Sequence, residues 1–271
     1  SFARLFYWAW ASYLLGKCIC HQRFMRYFVQ FSYRGTDYHG SQRQPNGVTV
    51  QEVLEDAFYT ILRVPVALTF AGRTDAGVHA KCMYAHFDVM ERIDDPHRLV
   101  GRLNNLLPNA IAVQGIRRVK DDAHARFDAL ARTYEYCTVT CKDPFAYKLA
   151  TRIEDGLDVQ LMNEAAQYMI GQHDFASFCR VHTDVKTTLC HVMYAQWENG
   201  VFRIKADRFL RNMVRAVVGT LLDVGKRKVS IEAFQQIILA KNRCAAGQSA
   251  PAEGLYLVQI DYPENIFIDT I

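Results

Sequence analysis

Alternating apolar and polar positions open the regular part of the chain. Tyr27, Val29 and Phe31 alternate with Gln30 and Ser32, which is the period of a half-buried β-strand. Behind a T-x-x-E capping box, apolar residues then recur at the spacing of a helix. The order strand, helix, strand, strand, helix, strand predicts an α+β half close to the split βαβ arrangement. The predicted elements are helices at 50–62 and 99–106 and strands at 26–33, 66–70, 83–89 and 111–119.

The second half of the chain has a similar mixture of predicted strands and helices. Asn199-Gly200 separates two strand-like runs, and it is the dipeptide that best predicts a tight hairpin. No low-complexity linker separates the halves, so we expect one continuous sheet with a cleft between them. We place the halves at 25–128 and 129–265, with a tail at 266–271. The predicted elements are helices at 158–171, 209–224 and 231–241 and strands at 132–139, 192–197, 201–206 and 255–260.

The first 24 residues differ from the rest of the chain. They are rich in aromatic and apolar side chains, but the apolar run is short for a membrane span and lacks a clear cleavage site. A membrane or targeting segment, an added packing helix and mistakenly translated upstream sequence are three interpretations. The third is favoured because Met25 directly precedes the first strand. We therefore leave residues 1–24 out of the fold prediction and expect no membrane partner.

Composition narrows the functional classes. Half of the 271 residues are hydrophobic and 22% are charged, which is typical of a globular protein and not of a disordered one. The net charge of +4 permits an anionic partner without requiring one. Eight cysteines occur without any C-x-x-C pair, which argues against a zinc site and a disulfide framework. We expect no metal and a reducing, cytoplasmic location.

The sharpest local feature is the run AGRTDAGVHA at 71–80. Glycines on both sides of Arg73 and Asp75 let the backbone turn tightly at a strand end. An adjacent arginine favours the ionised carboxylate, so Asp75 is a candidate covalent nucleophile. The alternative is a turn in which Asp75 only caps backbone amides, and the residues alone slightly favour it. His79 is a possible base, although a lone histidine beside a strand is more often only hydrogen-bonded.

Cations and aromatic rings are interleaved at two further places. The runs HARF at 124–127 and RTYEY at 132–136 combine groups that bind phosphates and stack on unpaired bases. Arg208, Arg211 and Arg215 recur at helical spacing, which by itself indicates a solvated helix face. Arg215, however, lies among apolar residues, where a cation needs a partner. A carboxylate across the cleft would provide one.

Taken together, these runs resemble the TruA-type tRNA pseudouridine synthases over residues 25 to about 262. The run GRTDAGVH is highly specific, and the other matching blocks occur in the expected order. These blocks are YRGT at 33–36, YHG at 38–40, VQE at 50–52, HARF at 124–127, RTYEY at 132–136, DRFL at 207–210, MVR at 213–215, VG at 218–219 and AEGLYLV at 252–258.

The resemblance implies an activity and a set of roles. Family members isomerise uridines 38–40 in the anticodon stem-loop of tRNA, without cofactor or metal, as homodimers. Asp75 would be the nucleophile, attacking uracil C6 or ribose C1′. Tyr134 would stack on the uracil and assist proton removal at C5, and Arg215 would pair with Asp75. Arg73 would help to extrude the nucleotide. The candidate substrate-binding residues are Arg73, His79, Arg126 and Arg211.

The implied fold is the pseudouridine synthase fold, an α+β architecture. Two RNP-like, ferredoxin-like halves would share a mixed, mostly antiparallel sheet, with the active site in the central cleft. In this fold the N-terminal half would carry the Asp75 loop, and the C-terminal half would carry Tyr134 and Arg215. A cleft of this kind would hold one tRNA across both subunits of the dimer.

One departure and two alternatives accompany the resemblance. Ser41 stands where the family commonly has tryptophan, and the missing indole should loosen the packing near the catalytic loop.

An RNA-binding protein without catalysis is one alternative, but it would not need the set Arg73, Asp75, Tyr134 and Arg215. A carboxylate-dependent hydrolase is the other. It would have a compact pocket, whereas the scattered cations and aromatic rings predict a long groove.

Overall fold

The computed structural model describes residues 24–180 and 186–268, so the predicted leader at 1–24 lies almost wholly outside the described residues. Ten strands and five helices occur in this part of the chain, which is the predicted α+β class. The strands are β1 Met25–Tyr33, β2 Thr69–Phe70, β3 His79–Val89, β4 Ile111–Arg118, β5 Ala131–Val139, β6 Thr151–Arg152, β7 Gly171–Asp174, β8 Leu189–Glu198, β9 Val201–Ala206 and β10 Leu255–Asp261. The helices are α1 Val50–Leu62, α2 Pro96–Leu106, α3 Val159–Gln167, α4 Met213–Gly225 and α5 Ile231–Ala240.

One sheet runs through both halves in the order β4-β1-β3-β10-β5-β9-β8-β7, with β2 paired to β3 and β6 to β5. Most neighbours are antiparallel, whereas β3 and β10 are parallel where the two halves join. Ala80, Leu257, Tyr134 and Ile204 form one row across this junction. Directly paired residues point to the same side of a sheet, so this row joins the two apolar cores on one face.

Each half has its own apolar core on that face. In the first, Phe58 of α1 packs against Phe87 of β3 with ring centroids 4.9 Å apart. In the second, α3, α4 and α5 cover strands β8 and β9. The side chain of Tyr134 packs against both cores. Tyr134 therefore lies where the two apolar cores meet, while the cleft between the halves and the division at residue 129 stay predictions.

Three helices begin, and one hairpin turns, at the residues that the sequence predicts. The side chains of Thr49, Asp158 and Ser230 each accept a hydrogen bond from a backbone N–H in the first turn of a helix. The Asn199-Gly200 turn has positive φ angles of 50° and 77°, as a tight hairpin between β8 and β9 requires. These short-range features need no information from the rest of the chain.

Several predicted elements have different bounds, and the physical reason is clearest for two of them. The strand predicted at 66–70 is reduced to β2, because Leu68 N–H donates to Glu55 Oε1 and Leu68 O accepts from Gln51 Nε2. Side chains of α1 thus replace a strand partner. The helix predicted from Phe209 begins at Met213, because Asn212 has a φ of 66° and its Nδ2 donates to Ser249 Oγ. No helix in the described residues is long and apolar enough to cross a membrane.

Candidate active site

The loop that carries Asp75 is fixed to the residues before α1. Ser41 N–H donates to Thr74 O at 3.1 Å, and Thr74 N–H donates back to Ser41 Oγ at 2.9 Å. Tyr33 shares a 2.8 Å hydroxyl hydrogen bond with Thr74. Gly40 has a φ of 93°, and a Cβ there would lie 2.9 Å from Thr74 O. These buried contacts hold the backbone immediately before Asp75.

Ser41 is bound to this loop through both its backbone and its side chain. Its side chain is fully buried, and its hydroxyl supplies an acceptor that an indole could not provide. The expected loosening of the packing near the catalytic loop stays a prediction.

The carboxylate of Asp75 lies beside two guanidinium groups from the other half of the molecule. Arg211 Nε is 3.7 Å from Asp75 Oδ1, and Arg215 Nη1 is 3.9 Å from Asp75 Oδ2. Both separations exceed the roughly 2.7–2.9 Å of a charge-assisted hydrogen bond. The two cations therefore lie beside the carboxylate without bonding tightly to its lone pairs.

The two arginines reach Asp75 from different structural elements. Arg211 is in the turn just before α4, whereas Arg215 is in the first turn of that helix. The predicted helical spacing of Arg208, Arg211 and Arg215 is thus wrong, although two of the three meet at the same carboxylate. Arg215 Nε also donates to Ala250 O at 2.7 Å, and Ala250 N–H donates to Arg215 O at 2.9 Å. This pair of bonds aims the guanidinium.

Tyr134 lies on β5 at the boundary of the two cores. Its ring meets Phe209 edge-on, with centroids 5.0 Å apart. Burial raises the pKa of Tyr134 to about 12, with the charge of Arg132 acting against this rise and that of Asp75 adding to it. The phenol is therefore neutral at physiological pH, close to the carboxylate.

The structure does not bring His79 into the cleft. The imidazole is 1% exposed, Nδ1 accepts from Gly35 N–H at 3.0 Å, and Nε2 lies 3.1 Å from Glu253 O. Burial lowers the pKa of His79, which fits a neutral ring donating through Nε2. Its ring also stacks on Tyr256 at 4.6 Å. The predicted substrate contact is not available to a side chain enclosed in this way.

The other predicted substrate-binding cations are exposed at the surface. Arg73 projects from the Asp75 loop, and Arg126 lies in the HARF segment with its guanidinium 5.7 Å from the ring centre of Phe127. His124 Nδ1 accepts from Arg126 N–H at 3.1 Å and so shapes this turn. Phe127 is 73% exposed, and a ring so placed is open to a stacking partner.

Besides His79, a second residue has partners other than those expected from the sequence, and several supporting residues were missed. Arg132 was expected to bind phosphate, but its side-chain donors reach backbone carbonyl oxygens instead. Thr74, Phe209 and Ala250 support the site through contacts made only in the folded chain, which the sequence did not indicate. Within residues 24–180 and 186–268, no group of three or more His, Cys, Asp or Glu side chains is placed to hold a metal ion.

Comparison with known proteins identifies the family of this chain. A family model described as tRNA pseudouridine synthase matches residues 30–128 and 165–263. A protein of Bacteroides fragilis named tRNA pseudouridine synthase A is 52% identical over 247 residues, covering 89% of this chain and 98% of the relative. Its namesake from Colwellia psychrerythraea is 41% identical over 249 residues, covering 89% and 95%. That from Exiguobacterium sibiricum is 38% identical over 244 residues, covering 89% and 98%. A family match over both halves, together with these relatives, shows that the chain belongs to the tRNA pseudouridine synthases, which are isomerases.

Proposed function

We propose that this protein isomerises uridine to pseudouridine in the anticodon stem-loop of tRNA, with Asp75 as the nucleophile. The observation that supports this most is the position of the Asp75 carboxylate between Arg211 and Arg215 and next to Tyr134. The names of the relatives indicate tRNA as the substrate. In the reaction, the bond from ribose C1′ to N1 of uracil is exchanged for one to C5. The proton on C5 is lost and N1 gains a proton, so the product is an isomer of uridine.

The electrostatics of the site favour a reactive carboxylate. A pair of unit charges about 4 Å apart near a protein surface attracts by up to about 4 kcal/mol, and water screening reduces this for the exposed Arg211. The two guanidinium groups stand on different oxygens at 3.7 and 3.9 Å. The carboxylate therefore keeps lone pairs available for attack on uracil C6 or ribose C1′.

Tyr134 supports the reacting base in this proposal. Its ring is fixed by the edge of Phe209, so a flat aromatic surface is present before substrate arrives. A uracil stacked on such a ring gains about 1–3 kcal/mol, which offsets the few kcal/mol needed to flip a base out of a stem. The neutral phenol, whose pKa is influenced by the charge of Asp75, would also take part in moving the C5 proton.

Exposed cations complete the proposed RNA groove. Arg73 is in the same loop as Asp75, where a guanidinium can enter the space that the flipped nucleotide leaves. Arg126 and Phe127 combine a phosphate-binding group with an open aromatic ring. His79 has a different part in this proposal, because it fixes the base of the loop from inside and does not touch RNA.

The test is to map pseudouridine in tRNA from cells that lack this protein. Expression of the wild-type chain should restore pseudouridine in the anticodon arm, whereas Asp75→Asn should not. Arg203→Lys, which changes an arginine on the opposite side of the sheet, serves as the control and should restore it fully. Restoration by Asp75→Asn to the wild-type level would contradict the assignment of the nucleophile.

We also propose that the protein works as a cytoplasmic homodimer, as the resemblance implies. Light scattering on the purified protein should then give twice the 31.1 kDa mass of one chain. A fully active protein that stays monomeric across the micromolar range would refute the dimer.

A further inference from the structure

The guanidinium of Arg132 connects three separate segments of the chain. Nη2 donates to Ala71 O at 3.1 Å and to Arg126 O at 2.6 Å, and Nη1 donates to Asp207 O at 2.9 Å. A longer bond of 3.4 Å reaches Ala129 O. All four side-chain hydrogen bonds that Arg132 makes within the described residues thus end on backbone carbonyl oxygens.

The bonded segments are those that carry the proposed chemistry. Ala71 directly precedes the glycine-bounded loop of Asp75, and Arg126 is itself a proposed RNA contact. Asp207 begins the irregular segment 207–212 that leads to Arg211 and Arg215. The Arg132 side chain therefore contacts the nucleophile loop and the HARF segment of the first half. It also contacts the segment of the second half that runs from Asp207 to Arg211.

Only an arginine can make this set of contacts. Its planar fork offers five N–H donors in fixed directions, whereas an ammonium group offers a single point of donation on a flexible stem. Burial lowers the pKa of Arg132, so placing a cation here has an energetic cost that the carbonyl contacts offset. A residue that served packing alone would not need a charge at this position.

Arg132 also lies next to the proposed catalytic ring. It is two residues before Tyr134 on β5, and alternate residues of a strand point to the same side. The two side chains are close enough for the charge of each to alter the pKa of the other. The guanidinium is thus placed to align the loops around the phenol.

We propose that Arg132 is a positioning residue that holds the Asp75 loop, the HARF segment and the Asp207–Arg211 segment in one arrangement around Tyr134. This inference rests on the proposed function, because the alignment matters only if these groups act on the same nucleotide. It assigns to Arg132 a role in the rate of the chemical step and no direct contact with RNA.

The test compares Arg132→Lys and Arg132→Ala with Arg203→Lys as the matched control. Arg203 is on the neighbouring strand β9, and its guanidinium binds Glu135 at 2.6 Å on the exposed side of the sheet. For each variant, single-turnover pseudouridine formation at saturating tRNA, tRNA affinity and thermal unfolding are measured. Millimolar methylguanidinium, far below a denaturing concentration, is then added to Arg132→Ala.

Arg132→Lys should lose about a hundredfold in single-turnover rate, since a misplacement of about 1 Å has an effect of that size. Its tRNA affinity should stay within about threefold of wild type, because the substitution should affect the rate of the chemical step and not the binding of tRNA. Arg203→Lys should be unchanged. Methylguanidinium should raise the rate of Arg132→Ala several-fold, which a general loss of folding would not allow.

Two results would overturn the inference. One is an Arg132→Lys rate equal to that of Arg203→Lys. The other is a rate loss in both Arg132 variants that follows the unfolded fraction and does not respond to methylguanidinium. Failure of the proposed function is distinguishable, because wild-type protein would then form no pseudouridine in the same assay.

Discussion

Gly219 gives the clearest link between packing and the site. This residue of α4 faces the segment 247–250, and a Cβ on it would lie 1.8 Å from Gln248 O and 2.9 Å from the carbonyl carbon. The same segment carries Ala250, whose backbone is bonded twice to Arg215. Gly219→Ala must therefore push away the backbone that aims Arg215 at Asp75.

The expected change in the free energy of unfolding is the difference between two opposing effects. Carbon and oxygen need a separation of about 3.5 Å, so the segment at Gln248 must move by at least about 1.5 Å. Overpacking of this kind costs about 1–3 kcal/mol, while alanine favours a helix over glycine by about 0.5–1 kcal/mol. We expect Gly219→Ala to lower the free energy of unfolding by about 1–2 kcal/mol. The activity should fall by tenfold or more, because Arg215 is displaced.

Gly101→Ala is the matched control. Gly101 lies in α2, and no atom is within 4 Å of a Cβ built on it. The same chemical change should therefore stabilise the protein by up to about 1 kcal/mol. Urea unfolding of both variants, with single-turnover pseudouridine formation, measures the difference. If Gly219→Ala were as stable and as active as Gly101→Ala, the proposed path from α4 to the carboxylate would be refuted.

Three further predictions concern single contacts. Ser41→Ala leaves the buried Thr74 N–H without its acceptor, which should lower the free energy of unfolding by about 1–3 kcal/mol in urea; an unchanged midpoint would contradict this contact. Burial lowers the pKa of His86 from 6.5 to about 4, so its share of stability is present above pH 6.5. This contribution to the free energy of unfolding, up to about 3 kcal/mol, should be lost as the pH falls towards 4. His86→Asn keeps an acceptor for Ala125 N–H and should lack this part of the pH dependence. Parallel curves of unfolding free energy against pH for the two proteins would exclude the contribution of His86. Arg211→Gln should weaken tRNA binding and reduce the slope of log affinity against log salt by about one; an equal slope would remove this residue from the RNA footprint.

Much of the fold could be predicted because its signals are local. Thr49, Asp158 and Ser230 mark helix starts by chemistry that involves only the next three residues. The Asn199-Gly200 hairpin needs only the φ angles of its own turn. By contrast, β3 begins at His79 and not at Met83, because its first residues pair with β10 from the far end of the chain.

The residues of the candidate site also differ in whether a local sequence pattern indicates them. Asp75 stands out because glycines bracket it in sequence, and the apolar surroundings of Arg215 indicated that it needs a carboxylate. The sequence could not indicate that Arg211 approaches from a non-helical segment, that His79 is enclosed by Gly35 and Glu253, or that the donors of Arg132 are used by carbonyl oxygens. Each of these depends on contacts between residues far apart in the chain.

The central claim is that the Asp75 carboxylate attacks a uridine held between the two halves. The most direct measurement is tritium release from tRNA labelled at uracil C5, since the isomerisation replaces that hydrogen with the bond to ribose. Wild-type protein should release tritium in step with pseudouridine formation. Asp75→Asn should release none while it binds the same tRNA with similar affinity. Release by Asp75→Asn at the wild-type rate would contradict the account.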